Sequence, residues 1–271
     1  MYTLIFVLWL VAVISVLSFV TGATSQRSYS IVRSSFASIT NYLLQRDLLE
    51  TTFHLLSKDP WLKSIKIETE EGTFSIEISD EGSSLNPNSL KPEDLKFLLS
   101  NCGVDTGEQM DVMIDSFLDW VDEDNFRRLN GAEKDYYEAL TPPYAPRNGK
   151  ILSKEELLFI RGFDVKTYNC LSPVLSVYGK NKINIGTASL EALTALGFSK
   201  EDAEKIISAR KTRLINNIKE LADIVSYIPT YAEKWLGFSP SGVYRIKIKT
   251  EDGGTNTFIV DLGRKKVLRF L

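Results

Sequence analysis

The chain has 271 residues and a formal net charge of −3, from 32 basic and 35 acidic side chains. This length exceeds one typical domain and allows two folded modules. Nucleic-acid binders usually carry an excess of Lys and Arg, so the composition argues against such a partner. The only histidine, His54, suits a packing or partly exposed position, and this argues against catalytic triads and His-ligated metal centres. We therefore expect a protein that is not an enzyme.

The first 26 residues have the pattern of a membrane anchor. Residues 1–24 carry no charge, and residues 4–20 are almost continuously apolar, which suffices to cross a ~30 Å hydrocarbon core. A cleavable secretory signal is the alternative, but it needs a basic region before a shorter apolar stretch. We predict a transmembrane helix over residues 1–26. Because the first basic residue, Arg27, follows this helix, we also expect a short basic leader before Met1.

The next segment predicts an amphipathic helix followed by a hairpin. Apolar residues recur every three to four positions up to Pro60, as in a helix that lays one stripe on a globular head. From Ser64 to Ser79 apolar and polar residues alternate on both sides of Gly72, which is typical of a β-hairpin. We assign residues 27–87 to this helix and to the first strands of the head.

The middle of the chain has a helical period and the end has the period of strands. Five helices are predicted, over Pro92–Asn101, Gly107–Val121, Ser153–Ile160, Ser189–Leu196 and Lys200–Lys211. Ser153 and Ser199 are suitable N-terminal caps. Alternation near the C-terminus predicts three antiparallel strands. The fold class is therefore α+β, with one sheet interrupted by an inserted α-helical domain over residues 88–236 and completed by strands in residues 237–271.

Residues 185–211 resemble a helix-hairpin-helix. In nucleic-acid binders of this type, a Gly-rich hairpin brings backbone N–H groups at a helix N-terminus against phosphate. Here the hairpin has one glycine, Gly197, and the next helix begins with Glu201 and Asp202. Since these carboxylates repel phosphate, we expect a structural helix pair and no nucleic acid.

Two cysteines, Cys102 and Cys170, lie far apart in the sequence. They are too few for a Cys-based zinc site. In an oxidising compartment they could form one disulfide, and otherwise they remain buried thiols. Pairing is our hypothesis, and the sequence leaves both states open.

The most concentrated acidic stretch begins on a predicted helix and continues into the following loop. Its carboxylates are Asp115, Asp119, Asp122, Glu123, Asp124, Glu133, Asp135 and Glu138. Such crowding destabilises a fold unless cations lie among the charges. Calcium, with ~6–8 oxygen ligands, is one candidate, and Arg127 and Arg128 are another. A solvated acidic face and a carboxylate pair acting as glycosidase acid and base remain alternatives.

Seven segments, in this order, together resemble the general secretion pathway protein K family, the minor pseudopilins of type II secretion. They are residues 4–12, 74–86, 117–125, 130–137, 142–146, 156–163 and 183–189. The resemblance implies a pilin-like fold with a long N-terminal transmembrane and amphipathic helix, a small antiparallel sheet and a large inserted α-helical domain. It also implies a structural Ca²⁺ ion, with Asp119, Asp122, Asp124, Glu133 and Asp135 at the positions of the family's acidic motif.

The family's role implies a subunit of a secretion machine. Such a subunit caps the tip of a periplasmic pseudopilus, helps to start its assembly and promotes protein secretion across the outer membrane. Its expected partners are the I-like and J-like minor pseudopilins, the major pseudopilin and the bacterial inner membrane, with the head in the periplasm. The alternatives are a minor pilin of a type IV pilus or DNA-uptake apparatus, and a membrane-tethered hydrolase that uses the acidic cluster.

Overall fold

The computed structural model describes residues 7, 9–11, 15, 43–251 and 253–271. The chain divides into two compact units, Met1–Lys58 and Asp59–Leu271. Among the residues described, no helix is both long and apolar enough to cross a membrane. The transmembrane helix predicted over residues 1–26 lies largely outside the described residues.

In the first unit, helix α1 covers residues 43–58. Its buried side chains recur at helical spacing and include Leu48, Leu49, Phe53 and Leu56. The helix ends just before Asp59, because the residue that precedes a proline is disfavoured in the helical conformation. The amphipathic pattern predicted for this segment is therefore present over residues 43–58, and residues 16–42 lie outside the described part of the chain.

The second unit contains an antiparallel sheet of five strands in the order β1-β2-β5-β6-β7. The strands of the unit are β1 (Ser64–Thr69), β2 (Gly72–Asp80), β3 (Ile183–Asn184), β4 (Leu236–Gly237), β5 (Val243–Thr250), β6 (Thr255–Asp261) and β7 (Lys266–Phe270). The short β3 and β4 form a separate parallel pair. The predicted hairpin is present, and its turn reaches Gly72 at a φ of 129°, where a side chain would be strained.

Alternating burial explains why these segments are strands. Ile76 and Ile78 of β2 lie opposite Ile248 and Ile246 of β5, and all four are buried. Burial of each such side chain contributes about 1.5–3 kcal/mol before entropy costs. The prediction of one antiparallel sheet assembled from both ends of the head is confirmed.

Between β2 and β5 the chain is mainly helical. Its helices are α2 (Pro92–Asn101), α3 (Glu108–Val121), α4 (Lys134–Glu138), α5 (Val165–Leu171), α6 (Leu190–Ala195), α7 (Lys200–Ala209) and α8 (Ile218–Ala222), with 3₁₀ helices at Glu81–Ser83, Pro87–Ser89, Lys154–Phe159 and Glu233–Trp235. Each predicted helix has a counterpart, although the one predicted over Ser153–Ile160 is a 3₁₀ helix. Helices α4, α5 and α8 and strands β3 and β4 were not predicted. The mixed α+β class is confirmed, and the domain boundaries at 87/88 and 236/237 stay a prediction.

Both predicted serines occupy N-terminal cap positions, and one of them makes the cap hydrogen bond. Ser199 Oγ accepts a hydrogen bond of 3.1 Å from the backbone N–H of Asp202, as expected at a helix N-terminus. Ser153 also occupies the N-terminal cap position of its helix, but it makes no side-chain cap bond. Its hydroxyl donates to the carboxylate of Glu155, a charge-assisted hydrogen bond.

A disulfide joins Cys102 at the end of α2 to Cys170 in α5, with 5.8 Å between their Cα atoms. The bond links residues 68 positions apart and encloses the acidic stretch. The hypothesis that the two cysteines pair is therefore confirmed. Around the disulfide, the helical segment has a core of its own, which includes Leu98, Leu99, Met113, Phe117, Tyr137, Leu193 and Ile206.

Asp80, at the end of β2, connects the sheet to the helical segment. Its Oδ1 accepts from the N–H of Gly82 at 3.0 Å and from the N–H and hydroxyl of Ser241 at 3.0 and 2.5 Å. Its Oδ2 accepts from Asn184 Nδ2 at 2.9 Å and Thr187 Oγ1 at 3.3 Å. A buried carboxylate with this many donors is well compensated, so it ties three distant parts of the chain together.

Candidate metal centre

The acidic stretch lies at the C-terminal end of α3 and in the loop that follows. Asp119 is fully buried on α3, and Asp122 is the C-terminal cap of this helix. Carboxylates are unfavourable here, because the C-terminus of a helix carries a partial negative charge. A nearby positive charge would therefore stabilise this end of α3.

The loop folds back tightly over Asp119. Asn130 donates from its backbone N–H and its Nδ2 to Asp115 Oδ2, at 3.0 and 3.1 Å, which holds the far side of the loop. Next to it, a Cβ atom on Gly131 would lie 1.9 Å from Asp119 Oδ2. Only a glycine permits this approach, which brings the residues after the loop close to α3.

Three carboxylates meet at this point. Asp122, Asp124 and Glu133 each offer one oxygen, and these oxygens lie within 4.8 Å of one another. Glu133 is the N-terminal cap residue of α4 and is 2% exposed. The turn at Gly131 and the start of α4 thus place a buried carboxylate against Asp122, at the C-terminal cap of α3, and Asp124, in the loop that follows.

The environment of Glu133 provides a test of whether a cation fits. Both of its carboxylate oxygens and Asp122 Oδ1 are buried, and no described donor lies within hydrogen-bonding geometry of them. Burial, together with the charges of Asp119, Asp122 and Asp124, raises the pKa of Glu133 to about 7. Burying carboxylate oxygens without a partner destabilises the folded state. Such oxygens are also the ligand type that a hard divalent cation such as Ca²⁺ prefers. The residues present fit such an ion.

The remaining two predicted ligands lie differently. Asp119 borders the three carboxylates but is bound by Arg128, whose NH1 lies 2.6 Å from Asp119 Oδ1. Asp135 is exposed and pairs with Arg127 at 3.8 Å, so the structure does not bring it to the other carboxylates. The assignment of the five residues as metal ligands stays a prediction.

The sequence indicates Arg128 only as a counterion and gives no signal for Asn148. Asn148 Nδ2 donates to the backbone carbonyl of Asp124 at 2.7 Å, and its own amide oxygen is buried without a described partner. Because Asn148 lies 24 positions after Asp124, no local sequence pattern indicates this contact.

Comparison with known proteins identifies relatives of the chain. A family model described as "Type II secretion system (T2SS), protein K" matches residues 75–180. This range contains most of β2, both cysteines of the disulfide and the whole acidic stretch.

Curated relatives carry the same name. Type II secretion system protein K of Aeromonas hydrophila is 30% identical over 162 residues, which are 56% of this chain and 49% of that protein. Its counterpart in Pectobacterium carotovorum is 24% identical over 174 residues, 58% of this chain and 53% of that protein. A putative type II secretion system protein K of Escherichia coli K12 is 25% identical over 225 residues, which are 78% of this chain and 64% of that protein. The chain thus spans about half the length of the first two relatives.

A solved structure has the same fold. A chain in the crystal structure of the GspK-GspI-GspJ complex from the type 2 secretion system of enterotoxigenic Escherichia coli superposes with a TM-score of 0.67 and 17% sequence identity. The superposition covers 90% of this chain and 98% of that one. The superposition shows a shared fold. The family match over residues 75–180 and the curated relatives confirm the resemblance to the protein K family of type II secretion systems.

Proposed function

We propose that this chain is a minor pseudopilin of a type II secretion system. In this role it is an assembly subunit and not an enzyme, anchored in the bacterial inner membrane with its head in the periplasm. It caps the tip of the pseudopilus and helps to start its assembly, together with an I-like and a J-like minor pseudopilin. The observation that carries the proposal is the family domain within a fold shared with a chain of the GspK-GspI-GspJ complex.

The disulfide supports the periplasmic part of this proposal. Disulfides persist in oxidising compartments such as the periplasm and are rare in the cytosol. The bond between Cys102 and Cys170 lies in the second unit. A head with this bond suits the periplasmic side of the inner membrane.

The partners are tested by co-purification. We expect the detergent-solubilised full chain, co-expressed with the I-like and J-like proteins of the same secretion system, to elute with both as one complex. Deletion of the gene should block export of type II substrates, and the intact gene should restore it. Purification of the chain without either partner, together with normal export in the deletion strain, would contradict the proposal. Loss of DNA uptake in place of export would favour the alternative of a pilus subunit.

The helix pair α6–α7 supports secretion over DNA uptake. Gly197 turns the chain between the two helices at a φ of 91°, and Ser199 already caps the N-terminus of α7. Asp202 is buried and accepts from Lys205 and from the N–H of Ser226, at 3.2 and 3.0 Å. A helix start with an internal cap and a buried carboxylate is a poor site for phosphate.

We further propose that the carboxylates of Asp122, Asp124 and Glu133 hold a structural Ca²⁺ ion, with Asp119 beside them. The buried, unpaired oxygens of Glu133 support this proposal. When bound, the ion supplies the positive charge that these carboxylates need. The chain's own part is to bring residues from α3, the loop and the start of α4 to one point, so that binding favours the folded state.

Chelation is expected to destabilise the protein. A ligand present at a hundred times its Kd stabilises the folded state by about 2.7 kcal/mol, so EGTA should lower the melting temperature of the full chain by roughly 5–10 °C. The variant Glu133→Gln should lose most of this response. Asp135→Asn is the matched control, because Asp135 lies apart from the three carboxylates, and it should respond as the wild type does. An unchanged melting temperature of the wild type in EGTA would contradict a structural role of calcium.

A further inference from the structure

We infer that Arg128 is an internal competitor for the cation. Its guanidinium occupies part of the acidic pocket formed by Asp119, Asp122, Asp124 and Glu133, and thereby sets the affinity of this pocket for calcium. This inference rests on the calcium part of the proposed function and adds the residue that regulates the site. It concerns a side chain that donates to the pocket and is itself no metal ligand.

The contacts of Arg128 place its charge between two of the carboxylates. Its NH1 lies 2.6 Å from Asp119 Oδ1 and 2.5 Å from Asp122 Oδ2. Its backbone N–H also faces Asp119, at 3.3 Å from Oδ1 and 3.2 Å from Oδ2. One guanidinium nitrogen therefore bridges the end of α3 as a divalent cation would, with charge-assisted hydrogen bonds in place of coordination bonds.

The bridge satisfies only part of the pocket. Asp122 gives Oδ2 to Arg128, whereas its Oδ1 and both oxygens of Glu133 have no described partner. A guanidinium is planar and its charge is spread over the fork, so it cannot approach three converging carboxylates as a compact ion can. Arg128 thus reduces the repulsion in the pocket without filling it.

The two cations compete for the carboxylate of Asp122. Calcium prefers six to eight oxygen ligands and often takes a carboxylate through both oxygens. Asp122 can bind in this way only if NH1 of Arg128 leaves its Oδ2. The side chain of Arg128 is 38% exposed, so it has access to solvent when it leaves. The cost of this departure is subtracted from the free energy of metal binding.

The neighbouring arginine offers a matched control. Arg127 is more exposed, at 56%, and pairs with Asp135 at 3.8 Å, outside the group of three carboxylates. Arg127→Gln and Arg128→Gln change the net charge equally. Long-range electrostatics should therefore affect both variants alike, and a difference between them reports the contact of Arg128 with Asp119 and Asp122.

The experiment is calcium titration of the full chain in detergent by calorimetry, for the wild type, Arg128→Gln, Arg128→Lys and Arg127→Gln. We expect Arg128→Gln to bind calcium about tenfold more tightly, the equivalent of one charge-assisted hydrogen bond, and to melt at a lower temperature than the wild type in EGTA. Arg128→Lys should lie between the two, because an ammonium keeps the charge but loses the planar fork. Arg127→Gln should match the wild type in affinity.

The outcomes distinguish failure of the proposed role of Arg128 from failure of the proposed calcium site. Equal calcium affinity of the wild type, Arg128→Gln and Arg128→Lys, or weaker binding by both Arg128 variants, would overturn the role of Arg128 and leave the calcium site standing. Equal gains in Arg128→Gln and Arg127→Gln would also overturn it, since general charge would then explain the effect. Absence of calcium binding in all four proteins would overturn the calcium site itself. Should Arg128→Gln fail to fold, the comparison of Arg128→Lys with the wild type decides.

Discussion

Reduction of the bond between Cys102 and Cys170 is expected to lower the free energy of unfolding by about 4 kcal/mol. A disulfide removes chain entropy from the unfolded state, which stabilises the fold by about 3 kcal/mol for a 15-residue loop and about 4.7 kcal/mol for a 100-residue loop. The two cysteines are 68 positions apart, so the expected value lies between these two. The measurement is urea denaturation of the full chain with and without a reductant. The double variant Cys102→Ser/Cys170→Ser should unfold at the midpoint of the reduced wild type.

The same reduction should weaken calcium binding. Asp122, Asp124 and Glu133 all lie within the loop that the disulfide closes, so loss of the bond allows α3 and the residues after it more freedom to separate. The double variant is the control for the reductant, because its unfolding midpoint should not respond. Identical midpoints of the oxidised and reduced wild type would contradict a stabilising role of the bond.

Replacement of Asp80 by alanine is expected to cost about 3–5 kcal/mol of stability. Five hydrogen bonds converge on this buried carboxylate. Its removal leaves the backbone N–H groups of Gly82 and Ser241 and the Nδ2 of Asn184 buried without their acceptor. Asp80→Asn keeps the size of the side chain but replaces one acceptor oxygen by a donor, so its effect should be smaller. Urea denaturation of both variants gives the comparison.

Glu77 provides the control on the same strand. Its carboxylate is half exposed and pairs with Lys249 at 2.5 Å on the surface of the sheet. Exposed ion pairs contribute little to stability, so Glu77→Ala should unfold at the wild-type midpoint. An equal, small effect of Asp80→Ala and Glu77→Ala would show that the polar junction at Asp80 does not stabilise the fold.

Much of the sheet could be predicted because its signal is local. In β2 and β5 every second residue is buried, and this alternation can be read from the sequence without knowledge of the partners. A single sheet built from strands on both sides of the helical segment follows from the instability of an isolated hairpin, but the pairing of β2 with β5 does not. The hydrogen-bonded neighbours of Asp80 are up to 161 residues away, and no local pattern reveals them.

The missed helices are short. Helices α4, α5 and α8 have 5, 7 and 5 residues, which is too few for a helical period to repeat. Isolated helices of this length do not form in water and depend on packing. Caps were the available signal: Asp164 accepts from the N–H of Thr167 at 2.7 Å, and Asn217 accepts from the backbone at the start of α8.

The candidate metal centre was predictable in composition but not in geometry. Clustered carboxylates on α3 and the following loop indicated a cation, and the resemblance to a family indicated which one. The exclusion of Asp135 from the group depends on the direction of side chains at the start of α4, where Glu133 points inward and Asp135 outward. The bridging position of Arg128 likewise depends on the turn at Gly131, which the sequence alone does not define.

The register of β2 and β5 has a consequence for the architecture as a whole. Asp80 pairs with Tyr244, so the chain leaves the sheet and returns to it at neighbouring positions, about 5 Å apart. Without the intervening residues, β1, β2, β5, β6 and β7 form a plain meander in which every strand pairs with the next one in the chain. The helices between them thus replace a single tight turn, and a protein built this way can gain, lose or exchange that whole block while the order of its strands stays the same.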